Sequence, residues 1–178
     1  MDGALTLDAV LSLVARDELP WDRAWVADFG EFCDRFTLHD SFWVGVFLNV
    51  NESNEAVFLF EWDSHWLPEP LRSDKLVDSE STRDPYLFIR VTGVRTIKFH
   101  GFNQPISGRA VGGAVATHVK SLQRLQICDF ADGEVDIRYV GRTEFLCVRR
   151  HDGMTIPLAA VKPRIDLPQH KENSGGTW

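Results

Sequence analysis

The sequence predicts a single α+β domain, residues 1–165, in which two N-terminal helices pack on a curved, mainly antiparallel β-sheet laid out as a meander. Three observations lead there. Apolar residues recur at steps of three and four as far as Phe36, then at steps of two from Leu38 onward, which is a change from helical to strand period. Turn signals, above all Asp132-Gly133 and Asp152-Gly153, separate the later strand-length runs. The 178-residue chain, 44% hydrophobic and 25% charged, is also large and apolar enough to bury a core without a disulfide or metal staple.

Taken in order, Thr6 is placed to cap a first helix carrying Leu7, Val10, Leu11 and Val14 on one face and ending before Pro20. Trp21, Trp25, Phe29, Phe32, Cys33 and Phe36 repeat at helical steps and predict a second helix, with Gly30 its weakest point. From Phe42 to Val50, Phe42, Val44, Val46 and Leu48 alternate with Trp43, Gly45, Phe47 and Asn49, which predicts a strand. The polar run from Asn49 to Glu55 turns the chain into a second strand, Ala56 to Trp66, with Phe58, Phe60 and Trp62 inward and a wet opposite face. Residues 67–85, rich in Pro, Ser and charge, read as a long surface loop.

Tyr86 to Val94 and Arg95 to Phe99 follow as strand, with Gly93 a bulge or bend. His100 to His118 reads as irregular. Val119 to Ile127 fits helix or strand and is taken as strand because Asp132-Gly133, a pair suited to positive φ at both turn positions, follows it. Thr143 to Arg150 is another strand, and residues 166–178 form a patternless tail.

The N-terminus has no basic n-region or export-length apolar run. No stretch approaches the roughly 18 to 20 apolar residues that a bilayer span needs. A cytoplasmic protein without membrane contact is therefore expected. Cys33, Cys128 and Cys147 are odd in number and contain no CxxC pair, so they read as reduced, buried thiols.

The net charge of −7 disfavours nucleic-acid binding. Its distribution is uneven. Residues 1–85 hold 18 acidic and 6 basic side chains, a net −12, whereas residues 86–178 hold 8 acidic and 13 basic, a net +5. An acidic face of this kind steers a basic protein partner; alternatively the two halves interleave and their charges mix.

Phosphate-loop, dinucleotide-binding, zincin and nucleophile-elbow signatures are missing from the sequence. The Gly112-Gly113 pair lacks the lysine and helix of a phosphate loop. Glu61, Asp63 and His65 would share one strand face and, with His39 or Asp40 beside them, form a weak candidate set for a divalent cation. The competing reading makes them the wet side of a half-buried strand. His39-Asp40-Ser41 has the residue types of a hydrolase triad, but neighbours on a strand point to opposite faces, so a turn-stabilising role is expected. No catalytic or cofactor-binding residue is assigned, and no cofactor. Trp66, beside Asp63, Glu69 and Asp74, reads as an interface anchor within an acidic rim that also takes in Glu52, Glu55 and Glu61.

The string LHDSFWVGVFLNV (Leu38 to Val50), followed after a turn by AVFLFEWD, resembles a set of small bacterial proteins in which an LHDS-like turn opens a β-hairpin, some of them assigned as immunity proteins of polymorphic toxin systems. The similarity covers about a quarter of the chain. It implies a protein that binds and blocks a toxin domain and needs no active site of its own; an acidic inhibitor would suit a basic nuclease. The alternatives are a metal-dependent hydrolase using Glu61, Asp63, His65 and His39, or a non-catalytic subunit of a larger assembly.

Overall fold

The computed structural model describes residues 5–49, 54–63, 67, 85–102 and 105–161. It has the expected α+β architecture, with the helices packed on antiparallel sheet. The first helix, α1 (Leu7–Ala15), begins where Thr6 Oγ1 accepts the Ala9 N–H at 3.3 Å. It ends with Asp17 at φ 52 and the Glu18 N–H donating to the Leu13 carbonyl at 2.9 Å, a left-handed close made without glycine.

The expected second helix is only half helix. Trp21–Arg23 is a 3₁₀ turn, Trp25–Ala27 is strand β1, and α2 runs from Phe29 to Arg35. Asp28 sets that boundary, because its Oδ1 accepts the Glu31 N–H at 2.7 Å and so starts a new helix there. Upstream, Trp25 pairs with Phe145 in a sheet ladder, and a residue held in the ladder cannot also be helical.

Among the described residues nine further strands follow: β2 (Phe42–Asn49), β3 (Glu55–Glu61), β4 (Tyr86–Val91), β5 (Val94–His100), β6 (Val111–Val119), β7 (Leu122–Asp129), β8 (Glu134–Tyr139), β9 (Thr143–Val148) and β10 (Thr155–Ile156). They form two sheets where the sequence suggested one. One sheet has the order β1-β9-β4-β3-β2, with β10 also on β9, and the other is β5-β8-β7-β6. The later strands are therefore not a simple meander. β6, β7 and β8 run in sequence, but β9 returns to the first sheet between β1 and β4.

The sheets separate at a corner. β4 and β5 are one bent ribbon, β8 and β9 another, and the two stay hydrogen-bonded across the bend through Thr92 N–H to Arg142 O (3.0 Å) and Val140 N–H to Gly93 O (3.1 Å). Gly93 sits at φ +66, and a Cβ on Gly141 would stand 2.3 Å from the Thr92 carbonyl oxygen, so the bend needs glycine at both positions. The sheets meet again where β2 begins: Phe42 bridges Ala110, and the Trp43 N–H donates to the Arg109 carbonyl at 2.9 Å.

The main core fills the space between the sheets. Phe58, Phe60, Ile89 and Phe145 from one sheet meet Leu125, Ile127, Ile137 and Tyr139 from the other, and α2 inserts Phe29, Phe32 and Phe36. Phe32 stacks on Phe145 with centroids 4.5 Å apart. A second core lies on the far side of the first sheet, where α1 and Leu19 cover Leu59, Tyr86, Phe88 and Leu146. The side of β3 expected to be wet is thus buried under α1, and only its ends carry charge.

Three smaller expectations change. The stretch from His100 to His118 contains β6, whose hairpin with β7 turns at Lys120, φ 59. Asp132-Gly133 does lie in a β7–β8 hairpin, but only Asp132 has positive φ (63), within a four-residue connection. β2 carries a bulge between Trp43 and Gly45, so Trp43 and Val46 face the main core while Val44 and Phe47 face the second. Residues 68–84 and 166–178, expected as loop and tail, lie outside the described residues, as do Val50 to Ser53. Among the described residues, no helix is long and apolar enough to cross a membrane.

Candidate partner-binding surface

The β2–β3 hairpin carries the described part of the acidic surface. Glu55 opens β3 opposite Asn49, and Glu61 closes it opposite Phe42 and Tyr86, about 20 Å further along at the usual strand rise. Glu61 Oε1 is paired with Arg150 at 2.8 Å, and that guanidinium also lies 4.6 Å over the Tyr86 ring. Beyond Glu61 the strand stops: the Trp62 N–H still donates to the Pro85 carbonyl, but Pro85 has no N–H to return, and the Trp62 indole N–H turns to the Thr37 carbonyl at 2.7 Å. Asp63 therefore does not continue Glu61's strand face. Glu52, His65, Trp66, Glu69 and Asp74 lie outside the described residues.

His39 stands apart from Glu61's ion pair, with its Nδ1 2.9 Å from Asp40 Oδ2 and its ring edge-on to Phe130 at 5.2 Å. Ser41 is fully buried, and its Oγ accepts the Asp63 N–H at 3.2 Å. That bond joins the start of β2 to the end of β3, so the Ser41 hydroxyl ties two strands together instead of closing the helix-to-strand turn. Among the described residues no three metal-capable side chains gather.

The three thiols are unpaired, and burial raises each one's pKa. For Cys33 it reaches about 12, with Asp34 and Asp28 adding to the effect. A thiol so placed is neutral and a poor nucleophile at physiological pH.

The ion pairs decide how the two unequal halves of the sequence combine. Of ten among the described residues, only Glu61 with Arg150 joins a residue before position 86 to one after it. Five of the later arginines are matched within their own half. Arg90 and Arg142 pair with buried Glu144, Arg109 with Asp129, Arg124 with Asp136 and Arg149 with Asp152. Arg124 grips Asp136 through both oxygens at 2.9 Å, and this holds the Asp136 carboxyl below its ordinary pKa. In contrast, Asp8, Asp17, Asp22 and Asp34 are exposed and form no ion pair among the described residues.

Sequence reasoning missed the contacts around Arg109 and Asp129. Asp129 Oδ1 accepts the N–H groups of Ala131 and Gly133 at 2.7 Å each, while the Arg109 guanidinium that pairs with it lies 5.3 Å from the Phe102 ring. The aspartate two residues before a turn was the available signal, since such side chains bond the backbone ahead of them. Compared with protein-family models, curated proteins and solved structures, the chain matches none.

Proposed function

We propose that this protein is a non-catalytic, cytoplasmic binding protein of immunity type, which neutralises a basic, nuclease-type toxin domain by covering it with an acidic surface. The observation that carries this reading is the separation of charge in the ion pairs. Five arginines of the second half are tied up by its own carboxylates and Arg150 by Glu61, with Arg90, Arg109 and Arg150 largely buried, while Asp8, Asp17, Asp22 and Asp34 of the first half stay exposed to solvent. A surface left negative in this way accelerates encounter with a basic partner and repels nucleic acid. Trp66 supplies the apolar anchor within that surface, with Glu52, Glu55, Glu61, Asp63, Glu69 and Asp74 as its acidic rim.

The test is affinity capture from a native lysate with identification by mass spectrometry. One basic protein is expected at equal stoichiometry and released as salt rises, and Trp66→Ala should weaken its binding by tenfold or more. An empty column, or a partner whose retention ignores both salt and Trp66→Ala, would overturn the proposal.

A further inference from the structure

The outward face of the second sheet carries an arginine that the fold does not pair. Leu125, Ile127, Val135, Ile137 and Tyr139 point into the main core, so the residues alternating with them, Arg124, Gln126, Asp136 and Arg138, point outward. The helices pack elsewhere, α1 on the far side of the first sheet and α2 in the main core. Across this face the register sets Thr96 opposite Arg138, Arg138 opposite Arg124 and Arg124 opposite Thr117. Lys98 stands opposite Asp136 in the neighbouring row.

Two arginines set directly opposite one another repel, and only one of them is compensated. Arg124 occupies both oxygens of Asp136 at 2.9 Å. Arg138 is the one half-buried arginine among the described residues that neither an ion pair nor a side-chain hydrogen bond holds. Its Nε is shut off from solvent while its terminal nitrogens are not, so the guanidinium lies packed on the sheet with its outer N–H groups open to water. The Asp136 carboxyl is held below its ordinary pKa first by the Arg124 hydrogen bonds and further by the charges of Arg138 and Lys98, so both of these cations stand near it.

The local charges do not cancel. Arg124 neutralises Asp136, and Glu134, which accepts from Gln126 Nε2 at 2.9 Å, lies four residues along β8 from Arg138, about 13 Å at the usual strand rise. That leaves Lys98 and Arg138, two positive charges, with the Thr96 hydroxyl beside Arg138 as a further donor. We propose that this face binds a phosphate dianion, as inorganic phosphate or as the terminal group of a small phosphomonoester, on Arg138, Lys98 and Thr96. Two cations match a dianion, whereas a carboxylate would neutralise only one of them. A phosphodiester strand is disfavoured by Asp136 and Glu134 on the same face and by the net charge of −7. The site is separate from the acidic surface of the first half and stands whether or not that surface takes a basic partner.

The test is a titration of the full chain with inorganic phosphate at constant ionic strength and about pH 8, where the dianion dominates, followed by amide NMR and calorimetry, with acetate as the control. Saturable one-to-one binding is expected, with the amides of Thr96, Lys98 and Arg138 shifting together and acetate moving none of them. Arg138→Gln should weaken binding roughly tenfold and Lys98→Gln roughly threefold, because each removes one charge-assisted donor. Arg23→Gln, an exposed arginine of the first half, should change nothing. Circular dichroism checks the fold, and the exposed Lys98 keeps the test alive should Arg138→Gln fail to fold. Phenyl phosphate distinguishes the sources: tighter binding than inorganic phosphate identifies an ester, and equal binding identifies the free ion. Equal affinity in the unmodified chain and both variants, or shifts that acetate reproduces or that spread evenly over the surface, would overturn the site. A single-stranded oligonucleotide that displaces phosphate there at the same salt would also overturn it, by making a phosphodiester the ligand.

Discussion

Replacing Gly141 with alanine tests the corner that divides the two sheets. The added Cβ would stand 2.3 Å from both the carbonyl oxygen and the Oγ1 of Thr92, and 2.6 Å from its carbonyl carbon. Two of those atoms are backbone and cannot swing aside, so the ribbons must separate by about 1 Å to restore ordinary contact. Four hydrogen bonds join Thr92 to Gly141 and Arg142 across that gap: Thr92 N–H to Arg142 O (3.0 Å), Gly141 N–H to Thr92 O (3.2 Å), Arg142 N–H to Thr92 Oγ1 (2.9 Å) and Thr92 Oγ1–H to Arg142 O (3.3 Å). Losing two or three at about 1 kcal/mol each, against the roughly 0.5 kcal/mol that Gly→Ala returns by restricting the unfolded chain, leaves a net loss of about 1.5–2.5 kcal/mol. Gly113→Ala is the control. It lies in β6 with nothing within 4 Å of its new Cβ, and it should be neutral or slightly stabilising. Urea unfolding followed by circular dichroism gives both values, and Gly141→Ala should lower the midpoint by roughly 1 M at a typical slope of about 2 kcal/mol/M. If Gly141→Ala melts with Gly113→Ala, the corner is not the close approach described.

Phe145→Ala should be among the most damaging core substitutions, because it removes the ring that Phe32 stacks on and that Trp25 and Phe29 also touch; a loss of about 3–5 kcal/mol in the same unfolding assay is expected. Asp136 is held below its ordinary pKa first by the Arg124 hydrogen bonds, and burial only partly offsets them. The pair's stabilisation is therefore fully present above about pH 5, begins to fade near the unfolded carboxylate value of about 4, and is lost as pH falls on through the lower folded value. Arg124→Ala should accordingly lower stability at pH 7 more than at pH 2.5, and parallel loss at both values would refute the assignment. Cys33 should resist a disulfide reagent at pH 8 until denaturant is added, since burial pushes its thiol up to about 12; rapid labelling of the native protein at Cys33 would contradict that burial.

How much of the fold was legible in the sequence depended on whether one periodicity could be told from the other. Leu7, Val10, Leu11 and Val14 fit a helix and no strand, and α1 is where they place it. Trp21, Trp25 and Phe29 lie four apart, a spacing that keeps one face in a helix and one face in a strand alike, so their pattern could not exclude β1; the cap at Asp28 was the deciding feature. β6 was hidden for another reason. Its VGGAVATHV is small and weakly apolar in a strand against which α2 packs. With Gly112, Gly113, Ala114 and Ala116 it lacks the large side chains that make a strand visible in sequence. The second sheet was concealed because β4 and β5 read as nearly continuous strand. Gly93 was visible as a bend, but its partner Gly141 lies 48 residues later, and only the ladder brings them together.

The candidate site was legible only as composition. The alternation that grouped Glu61 with Asp63 assumed a strand running on to Trp66, and it ends at Glu61 because Pro85, opposite Trp62, has no N–H to continue the ladder. The charge imbalance between the halves raised the opposite problem, because the fold interleaves them, with β9 seated between β1 and β4. Interleaving alone would have favoured mixing. Among the described residues the second half nevertheless pairs its own buried carboxylates, Asp129, Asp136 and Glu144, with arginines of its own. A buried carboxylate needs a cationic partner to offset its desolvation, so these three hold Arg90, Arg109 and Arg124 in place. Asp8, Asp17, Asp22 and Asp34 of the first half incur no such cost, because they are exposed to water.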